Sequence, residues 1–388
     1  MKVFYFLLLA FTIPASAINT MPACGKGVGS LMPNVDPLTM QPPSAGLTLE
    51  YVKDYTGNQP PTFNANGTGQ TRIDVDWASN GFNDPMVNPG AQNVNHAHTC
   101  WGNPLPCIYS KTDLLNIRNH PTIPDAIKTL IGFSGSEMQS FSEGGTLNLT
   151  GYWVPCVLDV TSGGCLTVSR NLVYYKSGNP STAVEPVNRP ATGLRMITGD
   201  STRTIPYVNN AGGDNPAKVR FTCYYPATNT YGLKFKSYIP PCDQGGELQF
   251  FIEFPSCVQT NAALIDNTID AESGLAKNPL GMVLDSTDHK SHTKFIDTVN
   301  GCGTGYARIP AISYNYYVTV TKANGTADWA LSSDNYVKSG NNSGYSFHAD
   351  YSFGWRLDII QEMMDGCVNA SLDCHAHLIS PTRTLYKP

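Results

Sequence analysis

The sequence carries little charge for its length. Charged residues make up 14% of its 388 residues, and the formal net charge is −5. Lysine and arginine form no basic patch along the chain, so nucleic acid is not expected as a partner. Beyond the N-terminal segment, no stretch is long and apolar enough to span a membrane. The C-terminal TRTLYKP has no hydrophobic tail, which argues against a lipid-type anchor.

Several well-known catalytic and metal-binding motifs are also missing. The chain has no G-x-S-x-G, H-E-x-x-H, P-loop or G-x-G-x-x-G pattern, which argues against the hydrolase, metalloprotease and nucleotide sites that these patterns mark. It has no C-x-x-C, so a zinc ribbon or a redox pair is not supported. No internal repeat is present.

The N-terminus has the layout of a secretory signal peptide. Lys2 precedes a run of apolar residues, and Ala15-Ser16-Ala17 follows as a cleavage site of small residues. We predict cleavage after Ala17, so that residues 1–17 are removed. The protein is therefore expected to be secreted and extracellular, and association with a cell wall would fit this location.

Cysteine use agrees with export, because all 11 cysteines follow the predicted cleavage site and exported cysteines are mostly paired. Close spacing favours four local bridges, although spacing alone does not establish connectivity. These are Cys100 with Cys107, Cys156 with Cys165, Cys242 with Cys257, and Cys367 with Cys374. Cys24, Cys223 and Cys302 remain, an odd number, so one thiol is expected to be free or bridged to another chain.

Glycosylation sequons also agree with export. In each one, Ser or Thr stands two residues after the asparagine and no proline intervenes. They are at Asn66, Asn148, Asn324, Asn341 and Asn369. Five sequons in an exported chain predict a glycoprotein with these asparagines at the surface.

The chain divides by composition into an N-terminal arm and one domain. Residues 18–70 are rich in proline, glycine, asparagine and threonine, which is typical of loops and linkers. Residues 71–388 are long enough for one large core. We therefore expect a signal peptide, an arm over 18–70 and a single β-rich domain over 71–388.

Strand patterns dominate this domain. In ELQFFIEF, residues 247–254, apolar and mostly polar positions alternate with a period of two. Aromatic and β-branched residues predict further strands over 171–176, 218–225 and 313–321. Short helices are expected over 112–117 and over 355–365, the second ending at Gly366. The predicted fold is mainly β: a β-sandwich or jelly-roll-like single domain with long loops and two or more short helices.

Seven of the eight histidines lie in four short segments. NHAHT contains His96 and His98, which would share one face of a strand because they are two residues apart. FHADY contains His348 and Asp350 at the same spacing, and DHKSHTKF adds His289 and His292. Of this last pair we prefer His292 for a common site, because residues three apart point to opposite faces of a strand. His375 and His377, close to Cys374, are expected near the surface.

These clusters have more than one interpretation. Imidazoles from separate segments can bind zinc or copper, and a histidine beside a carboxylate can act as a base. The histidines can equally be structural, hydrogen-bonded to backbone or lying in solvent. A carboxylate pair for glycoside hydrolysis is a further option. Glu247 and Glu253, or Asp84, would belong to it, although a solvated strand face explains the two glutamates more simply.

A series of ordered motifs resembles the secreted, largely fungal family called domain of unknown function nineteen-ninety-six. The motifs are FNDPMVNPGAQNVNHAHTCWG, GYWVPCVLD, YYK, GLRMITGD, FPSC, DHKSHTKF and FHADYSFGWRLDIIQEMMDGC followed by DC, and they cover roughly residues 74–374. The resemblance implies functional positions at Asp84, His96, His98, Tyr152, Trp153, Arg195, Asp288, His289, Ser291, His292, His348, Asp350 and Trp355. It also implies, loosely, a polysaccharide context.

The chain departs from the pattern of that family in three places. Val258 stands where tryptophan usually follows F-P-S-C, Asn95 replaces a common serine, and Arg356 follows Gly-Trp where an acid is usual. Long inserts also lie near 108–145 and 258–284. Such changes affect the floor or the charge of a cleft, so the resemblance predicts where a site lies better than which reaction it supports.

Three functions are consistent with these observations. The first is an extracellular polysaccharide hydrolase or lyase, with His96, His98, His292, His348 and Asp350 at its site, either holding a divalent metal such as zinc or copper or supplying a base. Arg195 would bind an anionic group, and Asp84, Tyr152, Trp153 and Trp355 would contact substrate. The second is a non-catalytic glycan- or wall-binding protein that uses Tyr and Trp for stacking. The third is a surface protein cross-linked through the odd cysteine. The sequence does not predict an oligomeric state.

Overall fold

A computed structural model describes residues 52–54, 61–63, 68–74, 77–83, 97–101, 147–148, 150–155, 157–159, 161, 164–166, 168–178, 185–208, 213–331, 333–334, 344–376 and 378–385. The predicted signal peptide, the helix expected over 112–117 and the sequons at Asn66 and Asn341 lie outside these residues. Cys24, Cys107 and Cys156 lie outside them too.

Short strands make up most of this part of the chain. In chain order they are Val52–Asp54 (β1), Thr62–Phe63 (β2), Gln70–Asp74 (β3), Trp77–Asn83 (β4), Ala97–Trp101 (β5), Gly151–Pro155 (β6), Val157–Asp159 (β7), Gly164–Cys165 (β8), Arg170–Lys176 (β9), Arg195–Gly199 (β10), Arg220–Tyr225 (β11), Thr230–Tyr231 (β12), Glu247–Glu253 (β13), Cys257–Gln259 (β14), Asp266–Ile269 (β15), Ala276–Asn278 (β16), Thr293–Lys294 (β17), Tyr306–Arg308 (β18), Ala311–Thr319 (β19), Trp329–Leu331 (β20), His348–Ser352 (β21), Leu372–Ala376 (β22), Leu378–Ser380 (β23) and Arg383–Leu385 (β24).

Two sheets contain most of these strands. Eight strands form one sheet in the order β12-β11-β13-β19-β9-β3-β22-β2, and five form the other in the order β10-β21-β6-β5-β4. Neighbours are antiparallel except β22 and β3, which run parallel. Smaller sheets of two or three strands flank them. The prediction of a mainly β, β-sandwich-like single domain is confirmed.

The alternation in ELQFFIEF explains how the larger sheet buries one face. Leu248, Phe250 and Ile252 on β13, together with the following Phe254, are at most 1% exposed. The intervening Phe251 is only half-buried. Phe250 stacks on Tyr316 of β19, with ring centroids 4.2 Å apart. Each strand therefore turns one set of side chains into the core and the other away from it.

The two sheets pack through aromatic side chains. Tyr152 on β6 meets Tyr314 on β19 edge-to-face, with ring centroids 5.6 Å apart. Tyr351 on β21 packs against Phe254 at 5.8 Å. The hydroxyl of Tyr314 also donates to the carbonyl of Asp350 across the interface. These contacts hold the five-stranded sheet against the larger one. In the five-stranded sheet, β10 is one edge strand and β4 is the other.

The helix expected over 355–365 is shorter and ends differently. An α-helix (α1) spans Leu357–Met363, and a π-helical turn continues over Met364–Val368. Gly366 lies inside that turn and does not end the helix. A Cβ at this position would lie 2.7 Å from the Cβ of Ser380, so close packing on β23 explains the glycine. No helix of the described ranges is long and apolar enough to cross a membrane.

Part of the predicted N-terminal arm belongs to the sheets. Val52 on β1 pairs with Leu385 on β24, and Thr62 on β2 pairs with Asp373 on β22. The fold therefore includes residues well before 71, and N- and C-terminal strands lie side by side. Threonine at 62 and phenylalanine at 63 are typical strand residues in a segment that otherwise reads as loop.

In the described part of the chain, three disulfide bonds join Cys223 to Cys242, Cys257 to Cys302, and Cys367 to Cys374. The predicted Cys367–Cys374 bridge is confirmed, and the predicted Cys242–Cys257 bridge is wrong. The seven extended residues of β13 lie between Cys242 and Cys257 and span roughly 23 Å. Bridged cysteines require Cα atoms within about 7 Å. Cys223 and Cys302, expected to be left over, are the true partners.

The predicted surface asparagines differ in exposure. Asn324 and Asn369 are exposed, although the Asn369 amide exchanges hydrogen bonds with the backbone of Val187. Asn148 is fully buried, and its Oδ1 accepts hydrogen bonds from the backbone N–H of Thr150 and from the Tyr152 hydroxyl. The expectation that Asn148 lies at the surface is therefore wrong, because its isolated β-bridge with Trp355 draws it into the core.

Loop length predicts how much each disulfide stabilises the fold. Replacing Cys257 and Cys302 by alanine opens a loop with a sequence separation of 45, which should cost about 4 kcal/mol of unfolding free energy. Replacing Cys367 and Cys374 opens a separation of 7 and should cost about 2 kcal/mol. Denaturant unfolding of the two double variants measures both losses. A larger loss for the short loop would contradict this order.

Burial predicts which sequons can carry glycan. A sugar on the Asn148 amide would have to displace packed core residues, whereas the Asn324 amide lies at the surface. Glycopeptide mass spectrometry of protein secreted from a glycosylating host should find glycan at Asn324 and none at Asn148. Folded protein with occupied Asn148 would show that this asparagine does not lie in the core.

Candidate functional site

The segment 284–295, called here the β10 loop, covers the edge of the five-stranded sheet. The backbone N–H of Arg195 donates to the carbonyl of Leu284 (2.9 Å), and that of Ile197 donates to the carbonyl of His289 (2.8 Å). An uncovered strand edge would leave these groups without partners. The loop, which carries the motif DHKSHTKF, is therefore held along β10.

Asp288 organises the turn at the centre of this loop. Its Oδ1 accepts hydrogen bonds from the backbone N–H groups of Lys290 (3.0 Å) and Ser291 (2.9 Å), and from the hydroxyls of Ser286 and Ser291. These bonds, led by the one from the Ser291 backbone, hold the pKa of Asp288 well below its usual value. Such turns are typical of aspartate, so Asp288 and Ser291 act here in shaping the loop.

His292, the histidine that the sequence favoured for the site, lies beneath the loop and is 2% exposed. Its Nε2 donates to the carbonyl of Arg195 (2.8 Å), and its Nδ1 lies 2.8 Å from the Ser286 hydroxyl oxygen. Burial lowers the pKa of His292 despite the opposing hydrogen bond from its ring to Arg195. The ring, held between Arg195 and Ser286, fixes the loop to β10 and presents neither nitrogen to solvent in this arrangement.

His289 is the histidine of this segment that reaches solvent. Its Nδ1 lies 2.6 Å from Oδ1 of Asp285, and its side chain is 19% exposed. Its φ is +53°, a conformation that costs energy outside glycine, although histidine adopts it more readily than most residues. The bonds from His289 N to the Ser286 carbonyl and from Ile197 N to the His289 carbonyl hold the backbone there.

Asp285 connects His289 to Arg195. Burial raises the pKa of Asp285, but the hydrogen bond and charge of His289, the backbone N–H of Ser286 and the charge of Arg195 outweigh burial, so this pKa lies below its usual value. The Arg195 Nη1 lies 3.9 Å from Asp285 Oδ2. The carboxylate is therefore ionised and accepts the Nδ1 proton of His289, which leaves the lone pair on Nε2.

A groove with a volume of about 300 Å³ begins at Lys290, the residue that follows His289. Its walls include Ile197 and Gly199 of β10 and Lys290 of the loop, and the Lys290 Nζ donates to the carbonyl of Gly199 (2.9 Å). Gly199 has φ +78°, and a Cβ there would lie 2.4 Å from the Phe347 carbonyl oxygen. Only glycine fits at this end of β10.

Charged side chains of both signs line the rest of the groove. Lys290, Lys294 and Arg203 are its cations, and Asp200 and Asp214 are its carboxylates. Asp214 accepts a hydrogen bond from Arg203 at 3.0 Å. Burial raises the pKa of Asp200, but hydrogen bonds from Thr202 and the charges of Lys290 and Arg203 outweigh it, so this pKa lies below its usual value. The Asp200 carboxylate is therefore ionised at neutral pH.

The three histidine segments meet at the five-stranded sheet. His348 begins β21, whose neighbour β10 carries the loop, and Gly199 pairs with His348. His98 lies on β5, where it pairs with Pro155 of β6, and β6 pairs with β21. The side chain of His98 lies outside the described part of the structure, as do His96 and Asp84. His377 and the side chain of His375, expected at the surface, lie outside it too.

His348 and Asp350 are both fully buried. The Nδ1 of His348 donates to the carbonyl of Ser346 (2.8 Å). Of the four proposed metal ligands, His292 and His348 thus bond to backbone, and among the described residues no three His, Cys, Asp or Glu side chains could together hold a metal. The zinc or copper hypothesis, which also involves His96 and His98, stays a prediction.

Tyr152 and Trp355, expected to contact substrate, lie in the core. Tyr152 is 0% and Trp355 is 3% exposed. The Trp355 Nε1 donates to the Tyr175 hydroxyl (2.9 Å), which lies 2.8 Å from the Tyr152 hydroxyl. Burial raises the pKa of Tyr152 to about 12. This buried network joins the two sheets and leaves neither ring face open to a sugar. The side chain of Trp153 lies outside the described residues.

The sequence did not single out Asp285, Lys290 or Arg203. Asp285 precedes His289 by four residues in DSTDH. Asp288 between them is a typical turn residue, and a turn brings residues at this spacing together. Reading the segment as a loop would have paired Asp285 with His289. Arg203 comes from a distant loop, and nothing in the sequence links it to the others.

Comparison with known proteins gives one match. The model of the family DUF1996, a domain of unknown function, matches residues 84–355. That range includes β10, β21 and the β10 loop. No curated protein and no solved structure matches the chain.

The burial of neutral His292 predicts that acid destabilises the fold. Its pKa is lower in the folded protein than the unfolded value of about 6.5. Between these two pKa values the unfolded chain binds a proton that the folded chain does not, so stability falls as pH drops below about 6.5. Thermal unfolding from pH 7 to 5 measures this loss.

The variant His292→Leu isolates this effect. It should cost about 1–3 kcal/mol at pH 7, because the Ser286 hydroxyl and the Arg195 carbonyl lose a partner. Its stability should also fall less steeply between pH 7 and 5 than that of the natural protein. Equal slopes for the two proteins would mean that His292 is not buried as a neutral ring.

Proposed function

The chain belongs to the DUF1996 family, whose activity is not assigned, and from that premise we propose that it is a secreted enzyme that cleaves an acidic polysaccharide by β-elimination, with His289 as the base. The observation that carries this proposal is the Asp285–His289 pair, which directly precedes Lys290 in the wall of a groove with three cations. The disulfide bonds support a location outside the cell.

His289 has the attributes of a general base. Asp285 fixes its tautomer and orientation through Nδ1, and the ring is partly exposed, so Nε2 is available to a substrate proton. When the ring takes up that proton, the ionised Asp285 stabilises the imidazolium. The strained backbone of His289 is consistent with a functional position, because such strain persists where neighbouring bonds enforce it.

The cations of the groove fit an anionic chain. Lys290 follows His289 directly, and its Nζ is fixed by the Gly199 carbonyl. Arg195 contacts Asp285 from the other side. A uronic acid whose carboxylate binds Lys290 or Arg195 would have the hydrogen on its C5 made more acidic, because the positive charge stabilises the carbanion that forms next to the carboxylate.

The proposed step balances without a co-reactant. Nε2 of His289 takes the C5 proton, the electron pair of the C5–H bond forms a C4=C5 double bond, and the C4–O bond breaks. The leaving oxygen takes a proton from the imidazolium, directly or through a solvent molecule, which restores neutral His289. The products are a sugar with a new reducing end and an unsaturated uronate.

Elimination fits the described residues better than hydrolysis by two carboxylates. Glycoside hydrolases need one carboxyl group with a raised pKa and a partner about 5–10 Å away, whereas Asp200 has a lowered pKa and Asp214 is paired with Arg203. Glu247 and Glu253, considered from the sequence, stand at opposite ends of β13, about 20 Å apart. Glu253 is moreover paired with Lys218.

The activity is tested with acidic polysaccharides that differ in their uronic acid, by the ultraviolet absorbance of the unsaturated product. Replacing His289 by glutamine removes the base and should lower turnover by about 10²–10⁴-fold. Replacing Asp285 by asparagine should lower it as well, because an amide cannot stabilise the imidazolium.

Asp297→Asn is the matched control for the second variant. Asp297 caps an exposed turn by accepting from the backbone N–H groups of Val299 and Asn300, so this variant should keep full turnover. Unsaturated product formed equally by natural protein and His289→Gln, or no product from any uronate polymer, would refute the proposed activity.

A further inference from the structure

One wall of the groove takes no part in the proposed reaction. It consists of Asp200, which follows β10, and of Arg203, Tyr207 and Asp214. We call these four residues the tyrosine wall. They stand apart in the sequence from the β10 loop, whose Lys290 begins the groove. The wall therefore meets a part of the substrate other than the unit beside His289.

Tyr207 presents an unbonded hydroxyl to the groove. The residue lines the groove and is only 6% exposed. Among the described residues, none forms a hydrogen bond with its hydroxyl. That oxygen is accessible, in contrast to the hydroxyl of Tyr351, which is enclosed in the core. A buried ring thus carries a polar group that is satisfied only by what enters the groove.

The Tyr207 ring is held in position. The Arg203 guanidinium covers one face, with its Cζ 3.7 Å from the ring centroid. Arg203 is fixed in turn, because its Nε donates to the carbonyl of Ile205 (2.9 Å) and its Nη2 to Asp214 Oδ2 (3.0 Å). The Tyr207 carbonyl accepts from the Ser237 hydroxyl (2.8 Å). Little ordering is therefore needed when the Tyr207 hydroxyl binds a ligand.

The charges of Arg203 and Asp214 are directed at each other. Their ion pair uses Asp214 Oδ2, which also accepts from the backbone N–H of Val208 (2.8 Å). Opposite charges in contact leave little net field at a distance. We therefore do not expect the Arg203 guanidinium to bind a carboxylate of the substrate.

Asp200 gives the wall an acceptor beside the Tyr207 donor. Its Oδ1 accepts from the backbone N–H (2.9 Å) and the hydroxyl (2.7 Å) of Thr202. Within the described ranges, no residue donates to its Oδ2. The second oxygen of an ionised carboxylate therefore remains available to a ligand that can donate a proton in a hydrogen bond.

The electrostatics at Tyr207 favour a neutral ligand. Burial raises the pKa of Tyr207 to about 12; the charge of Arg203 opposes this, and the charges of Asp200 and Asp214 add to it. The hydroxyl consequently keeps its proton at neutral pH and can donate. Two carboxylates act on it against one guanidinium, so an anionic group placed here is repelled.

We propose that the tyrosine wall binds a neutral sugar unit adjoining the uronate, with one sugar hydroxyl accepting from Tyr207 and donating to Asp200. A hydroxyl can do both at once, whereas a carboxylate can only accept. The uronate itself lies toward Lys290 and His289. The preferred substrate is then a polysaccharide in which uronic acid and neutral sugar alternate, and not a run of uronates.

This inference rests on the proposed function for the position of the uronate, but it is tested by binding, which needs no turnover. Calorimetric titration of the His289→Gln variant avoids cleavage of the ligand. Three fragments of equal length serve as probes. They are hyaluronan, in which glucuronate alternates with N-acetylglucosamine, the rhamnogalacturonan backbone, in which galacturonate alternates with rhamnose, and oligogalacturonate.

At least one alternating fragment should bind more tightly than oligogalacturonate. Adding Tyr207→Phe should weaken that binding about five- to tenfold, as expected for one hydrogen bond, and should leave oligogalacturonate binding unchanged. Thermal stability should not fall, because the lost hydroxyl has no partner in the protein. A structural role of that hydroxyl would instead lower the stability.

Asp200→Asn provides an effect of opposite sign. The amide oxygen can still accept from Thr202, but the free acceptor becomes a donor and a negative charge is lost. Binding of the alternating fragment should weaken, and binding of oligogalacturonate should become tighter. Tyr231→Phe is the matched control, because Tyr231 lies on β12 outside the groove and is 49% exposed. It should change neither affinity.

Tightest binding of oligogalacturonate would overturn the proposal. So would an alternating fragment that Tyr207→Phe binds as well as its parent does, or the absence of binding by all three fragments. Turnover of the natural protein is measured separately by the absorbance of unsaturated product. Lack of product from every polymer would refute the elimination, while selective binding lost in Tyr207→Phe would still support the tyrosine wall.

Discussion

The candidate site depends on two backbone hydrogen bonds, which join Arg195 and Ile197 of β10 to Leu284 and His289 of the loop beside it. They close the edge of the five-stranded sheet and fix where the loop turns. His292 is pressed beneath the loop and bonds to the Arg195 carbonyl, while His289 is forced into a left-handed conformation with its ring beside Asp285. The attachment of the loop to β10 therefore makes His292 a structural residue and leaves His289 able to exchange a proton.

Most of the fold follows from local patterns, and most of the site does not. The alternation in residues 247–254 identifies β13 and its buried face, because a strand with one face in the core must alternate. The choice of His292 over His289 treated this segment as a strand too, in which residues three apart point to opposite faces. Both histidines lie instead in a loop whose path is set by Asp288 and by the β10 edge. The pairing of Cys223 with Cys242 and of Cys257 with Cys302 depends on which strands become neighbours. The sequence contains no local signal for that order.

The groove concentrates positive charge on an acidic protein. Lys290, Lys294 and Arg203 line it beside two carboxylates. Lys290 is held by the Gly199 carbonyl and Arg203 by Asp214. Cations fixed in this way lose little side-chain entropy when an anionic chain binds.

The central claim is that His289, held by Asp285, is the accessible base among the described histidines. Limited acylation of imidazole nitrogens, mapped by mass spectrometry, tests it directly, because the reagent attacks unprotonated and accessible rings. We expect His289 to react before His292 and His348, and to be protected when an acidic polysaccharide is present. Reaction of either buried histidine before His289, or no protection of His289 by any such polymer, would contradict the account.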